Sequence, residues 1–256
     1  MPRMLNPHTA LAAALKPAAR GASTPRRVLV LGGAGTLGAA VLEQLLASHY
    51  FERVGVLAHA SLQPALRGLH VVADTDAARC AFAADTALIV FDRERHANGR
   101  DAAFVRPLPV ELPHRAHQLL QAGVRCMLVV VPHAPALLPQ ALKLGLASLD
   151  EAAVAAMGFS QLVLMRMAQS PGVAADAPRL PPLQRVAAGM LSQLRWMVPS
   201  RDQPVRSDTV ARVAAALAMA LPQAAPGTRV LAPELLWQAA QGQPAADLVA
   251  TWLAAG

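Results

Sequence analysis

Short all-apolar runs alternate along this chain with stretches whose apolar residues recur at helical spacing. Apolar runs of strand length reading into helical periods predict strands followed by helices. The first strand is the run beginning at Arg27, and AAVLEQLLAS after it reads as a helix. Further strands are predicted at Val54–Leu57, within LHVVADTD, and at Thr86–Phe91, Cys126–Val131, Gln161–Met165 and Arg229–Leu231. Helices are predicted over His114–Ala122, over Ser148–Met157 with its capping Ser and acidic first turn, from Ser207 through Leu221, and over Pro233–Gln241 and Ala245–Ala254. Asp92–Pro113 is polar and broken by Pro107, Pro109 and Pro113, so it reads as loop with at most a short helical stretch near Ala102–Val105. Leu183, Val186, Ala187, Met190, Leu191, Leu194 and Met197 lie at helical spacing, an amphipathic helix suited to core packing or an oligomer face. The succession predicts an α/β fold: a doubly wound parallel sheet in three α/β/α layers, forming one domain over residues 26–256 behind a basic tail at 1–25.

The junction between the first strand and its helix carries the most chemistry. RVLVLGGAGTLG runs from strand into a turn with glycines at 32, 35 and 38, and Gly33 as an extra. In a βαβ fold one such glycine permits the tight bend, one lets backbone approach a pyrophosphate, and one lets the helix sit close on the strand. The phosphate meets free N–H groups where the helix starts, near Thr36 and Leu37. Gly32, Gly33, Gly35, Thr36, Leu37 and Gly38 are therefore the candidate cofactor-binding residues, and a dinucleotide is the expected ligand.

Composition narrows the partners. Of the net charge of +7, five units come from Arg3, Lys16, Arg20, Arg26 and Arg27, within an N-terminal stretch that has no acid. The rest of the chain is nearly neutral, and with one Tyr and five Phe it lacks a basic stripe interleaved with aromatics, so no nucleic-acid partner is expected. Apolar runs such as Val210–Leu221 are too short or too interrupted to span a bilayer, so no transmembrane segment is expected. Cys80 and Cys126 form no disulfide framework, which fits a reducing, cytoplasmic setting. The Arg-rich, acid-free first segment reads as a disordered tail, and its makeup is also that of a mitochondrial transit peptide.

The order of these pieces resembles the atypical short-chain dehydrogenase/reductases, in the NAD(P)H-binding branch that includes Tat-interacting-protein-like and nitrogen-metabolite-repressor-like proteins. The landmarks are VLVLGGAGTLG, AGVRCMLVVV, EAAVAAMGFSQLVLMRM and SDTVARVAAALAMAL, over residues 27–235. The resemblance implies a fifth strand ending in Ser-Ser and a Tyr-x-x-x-Lys pair on the next helix, the tyrosine moving a proton at the carbonyl oxygen and the lysine lowering its pKa. This chain departs from that pattern. Pro132 and His133 stand at the serine positions, and the Tyr and Lys positions fall near Lys143 and Ala147. Tyr50, before the second strand, cannot replace the missing phenol. After the fourth strand, where the family places small residues against the cofactor, the chain has Asp92-Arg93-Glu94-Arg95-His96, whose charges could block the nicotinamide end.

Other candidates carry competing readings. Asp92, Glu94 and His96 suit a metal in residue type, but Arg93 and Arg95 offer them internal ion pairs, and no metal site is expected. His114 and His117, one turn apart, read as a solvated helix face. His133 is either a histidine satisfied by loop backbone or a catalytic group with Lys143 as companion. No acid follows the second strand in Ala58-His59-Ala60-Ser61, which tilts the cofactor towards NADP, with NAD open. His59 is the candidate at that position, and the resemblance implies Asp74 against the adenine.

Three functions follow: an NAD(P)-binding protein without the Tyr/Lys pair, acting as nucleotide sensor or interaction module with a possible protein partner or homo-oligomer; an NADP-dependent oxidoreductase or isomerase using His133 and Lys143; or a structural subunit whose pocket is closed by Arg93 or Arg95. The tail yields the first prediction. A chain shortened to begin at Thr24 should melt within a few degrees of the full-length protein, because the acid-free, proline-broken segment precedes the first strand. A large drop in melting temperature would show that the tail packs on the core.

Overall fold

A computed structural model describes residues 26–59, 66–92, 101–133, 148–168 and 205–255. The tail, the amphipathic stretch 183–197, Arg93 to His96, Ala60-Ser61 and Lys143 lie outside the described residues. Seven strands form one sheet in the order β3-β2-β1-β4-β5-β6-β7. They are β1 (Arg27–Leu31), β2 (Arg53–Ala58), β3 (Leu69–Ala73), β4 (Thr86–Val90), β5 (Cys126–His133), β6 (Gln161–Ala168) and β7 (Gly227–Leu231). Every neighbouring pair is parallel. This is the doubly wound, Rossmann-like topology that the alternation predicts, with the order reversing between β1 and β4.

The strands are continuous apolar runs because both faces of the sheet are covered. Side chains alternate along a strand, and accordingly Val28, Val30, Leu128 and Val130 enter one core while Leu29, Leu31, Met127 and Val129 enter the other. The first core is covered by α1 (Gly35–Ala47), α5 (Ser207–Ala220), α6 (Pro233–Ala240) and α7 (Ala245–Ala255). The second is covered by α2 (Asp76–Phe82), α3 (Leu112–Gln121) and α4 (Leu149–Ala155). Among the described residues no helix is long and apolar enough to cross a membrane.

Several boundaries differ from the sequence expectation, each for a local reason. β5 runs on through Pro132 and His133, which pair with Met167 and Ala168 of a correspondingly longer β6. The Phe91 amide donates to the Val130 carbonyl, so Val130, and with it Pro132 two residues on, turns its backbone polar groups towards β4. β4 has already ended at Val90, so the missing proline N–H costs no ladder bond there. α3 starts at Leu112 rather than His114, with Pro113 in its first turn, where a proline needs no N–H partner. The short helical stretch of the loop is a 3-10 turn at Asp101–Ala103, ending before Phe104, which bridges antiparallel to Ala58; a second 3-10 turn occupies Pro109–Glu111.

At the strands' N-terminal ends a buried polar row crosses the sheet. Thr86, Cys126 and Gln161 are register partners. The Cys126 thiol donates to Gln161 Oε1 at 3.0 Å, and Gln161 Nε2 donates to the Ala224 carbonyl at 3.0 Å. Burial, reinforced by the negative charge of Asp85, pushes the Cys126 thiol up to about 11. At pH 8 iodoacetamide should therefore label one thiol, the exposed Cys80, in the native protein and both thiols in guanidinium. Equal native labelling of both would place Cys126 outside the core.

Candidate functional site

The glycine turn at the C-terminal end of β1 is a close contact between three pieces of backbone. Gly32 has φ +85°, and a Cβ there would lie 2.1 Å from the Val90 carbonyl oxygen. A Cβ on Gly38 would lie 2.0 Å from the Gly32 carbonyl oxygen, so α1 rests directly on the turn that precedes it. Gly33 faces Val56 and Leu42 at similarly close range. These glycines let the chain leave β1, reverse, and start α1 against the sheet.

α1 has no cap of its own. Its N-cap residue is Ala34, whose side chain makes no hydrogen bond, and its first turn contains no acidic residue. The first amides of a helix have no intrahelical acceptor and carry the positive end of the helix dipole. The partner comes from across the sheet: the Leu37 amide donates to Asp92 Oδ2 at 2.7 Å. Asp92 stands just past β4, the strand paired to β1 on its inner side. Its carboxylate fills the space over Gly35, where a Cβ would lie 2.7 Å from Oδ2 and where the backbone has φ +86°. A dinucleotide pyrophosphate uses the same helix N-terminus. With Asp92 in this position the cradle has the right backbone, but its Leu37 donor is taken and the adjoining charge is negative.

A second piece of chain crosses the neighbouring gap. Between the glycine turn and the end of β2, Val105 accepts from the Gly32 amide at 3.2 Å and donates to the Leu57 carbonyl at 3.0 Å. The His59 amide donates to the Ala103 carbonyl at 2.9 Å. Ala103–Val105 thus forms a short antiparallel insert at the C-terminal edge of β1 and β2, with Val105 itself buried. In a dinucleotide site the adenosine ribose lies between the first glycine and the end of the second strand.

The remaining candidates sit as follows. Thr36 is exposed beside the turn, and His59 is exposed at the end of β2. Asp74, at the end of β3, accepts from Arg115 Nη1 at 2.8 Å and pairs with Arg79, tying α2 to α3. Any adenine contact would have to share that carboxylate. His133 ends β5. Tyr50 lies at the opposite edge of the sheet, where Arg26 stacks 4.3 Å over its ring and Phe51 packs edge-on against it. Deeper in the sheet, Arg166 on β6 and Glu151 on α4 form a buried two-pronged pair, at 2.8 and 3.2 Å. Among the described residues no group of three or more His, Cys, Asp or Glu side chains could hold a metal.

In the sequence Asp92 stands out as a charge near the cofactor, and its role as the cap of α1 emerges only in the fold. The signal was present: Ala34 cannot cap, the first turn has no acid, and a doubly wound order puts the residue after β4 beside the turn after β1. The insert is not evident in the sequence either; its signal is the adjacent pair Phe104-Val105, the one place in the loop where two large apolar residues stand together.

No protein-family model matches the chain, and no curated protein matches it. Among solved structures it is similar to the Bordetella bronchiseptica enzyme WbmG in complex with NAD and UDP, at 17% identity over 85% of this chain and 79% of that one, with TM-score 0.47. For WbmG in complex with NAD the match spans 62% of that protein's length. A putative NAD-dependent epimerase/dehydratase from Bacillus halodurans is similar at 14% identity over 88% of this chain and 99% of that one, with TM-score 0.47. A short-chain dehydrogenase/reductase superfamily protein from Agrobacterium tumefaciens with bound NAD is similar at 18% identity over 81% and 77%, with TM-score 0.43.

The capping geometry yields a stability prediction. Asp92→Ala should lower unfolding stability by about 1 kcal/mol in urea denaturation, the usual cost of deleting a helix cap. Gly38→Ala should cost more, about 1–3 kcal/mol, because its Cβ has nowhere to go. A neutral Gly38→Ala would show that α1 does not sit on the turn as described.

Proposed function

We propose that this chain is a Rossmann-fold protein that has lost hydride-transfer chemistry and acts as a nucleotide sensor or interaction module. The observation that carries this reading is the position of Tyr50. The chain has one tyrosine, and it is held at the N-terminal edge of the sheet by Arg26 and Phe51, across the fold from the glycine turn. A carbonyl accepting hydride needs a proton at its oxygen, and a positioned acid supplies about 10²–10⁴-fold of the rate. At the C-terminal edge, where a substrate would sit over β4 and β5, the chain offers Pro132 and His133. Pro132 has neither a side-chain donor nor an amide proton to give.

The glycine turn supports an NAD(P) ligand, as do the NAD-bound proteins of similar fold, and the absence of an acid after β2 favours NADP over NAD. The full-length protein should show a calorimetric signal with millimolar NADP, weaker with NAD, and no NADPH oxidation with a panel of aldehydes, ketones and quinones. Steady oxidation that is lost in His133→Ala would overturn the sensor reading in favour of an enzyme built on His133. Absence of any signal with either nucleotide, in wild type and in Asp92→Ala alike, would overturn the nucleotide ligand itself.

A further inference from the structure

We propose that the crevice is held shut by the chain's own groups, Asp92 at the pyrophosphate position and Ala103–Val105 at the ribose position, so that a dinucleotide binds only by displacing them. This inference rests on the nucleotide reading above and adds its regulation. Two observations from different parts of the chain carry it. Asp92 Oδ2 lies 2.7 Å from the Leu37 amide and against the Gly35 backbone, so a phosphate oxygen cannot reach that N–H without moving the carboxylate. The two are also of like charge, so a phosphate that settles beside an unmoved Asp92 is repelled. Independently, the His59 and Gly32 amides and the Leu57 carbonyl, which border the ribose position, are bonded to Ala103 and Val105.

The two closures act on different halves of the ligand. Asp92 opposes any polyphosphate, whereas the insert opposes the nucleoside. Binding therefore removes a capping carboxylate from α1 and a short insert from the sheet edge. Those groups change position when ligand arrives, which is the output a sensor requires.

The test measures affinity for inorganic pyrophosphate, NAD and NADP by calorimetry in full-length wild type, Asp92→Asn and Asp92→Ala. Glu43→Ala, which removes an equal charge from an exposed position on α1, the helix that Asp92 caps, serves as control. Asp92→Ala should bind pyrophosphate and NADP at least tenfold more tightly than wild type. Asp92→Asn, which keeps an acceptor but loses the charge, should fall between, and Glu43→Ala should match wild type. Equal affinities in wild type and Asp92→Ala would overturn the proposal, as would an equal gain in Glu43→Ala. Asp92→Ala that takes pyrophosphate tightly but neither dinucleotide would keep the carboxylate closure and overturn the nucleotide reading. Failure of all three ligands in every variant would overturn both. Amide exchange decides the second closure: His59 and Val105 should lose protection when NADP binds Asp92→Ala, and retained protection would overturn the role of the insert.

Discussion

The start of α1 needs a negative partner, and the rest of the site is arranged around how that need is met. A helix that begins at the edge of a buried sheet presents amides with no acceptor. Here the chain gives it neither a capping side chain at Ala34 nor an acid in the first turn. In a nucleotide-binding protein the vacancy is the binding site. In this chain Asp92 supplies the anion across the β1/β4 pair, and the interaction ties the segment after β4 to the helix after β1.

The geometry leaves little slack. Gly32 and Gly38 bring the turn, the end of β4 and the start of α1 into backbone contact, and the Asp92 carboxylate fills the space over Gly35 where a phosphate would lie. The insert at Ala103–Val105 extends the same economy to the next gap, satisfying backbone groups at the end of β2 that would otherwise meet solvent or ligand. Asp74, held between Arg79 and Arg115, shows the same tendency at the end of β3. Along the C-terminal edge from β3 to β4, the Leu37, Gly32 and His59 amides, the Leu57 carbonyl and the Asp74 carboxylate are engaged by the protein itself, while the Thr36 and His59 side chains face solvent.

Much of the fold was legible because it rests on periodicity. Continuous apolar strands separated by helical stretches allow few arrangements other than a covered parallel sheet. Element ends were less legible because they depend on neighbours. Pro132 reads as a strand terminator until β4 is seen to stop short of it, and Pro113 reads as a breaker until it falls in a first turn. The glycine turn was legible as a motif, since its requirement is local. Its occupant was not, because the contact between Leu37 and Asp92 joins residues 55 positions apart and no local pattern encodes it.

The hydrogen bond between Leu37 and Asp92 is the most direct test. A carboxylate accepting at 2.7 Å moves the Leu37 amide proton resonance downfield. In the ligand-free protein, NMR should find that resonance downfield in wild type and displaced upfield in Asp92→Ala. A Leu37 amide unmoved by Asp92→Ala would contradict the account.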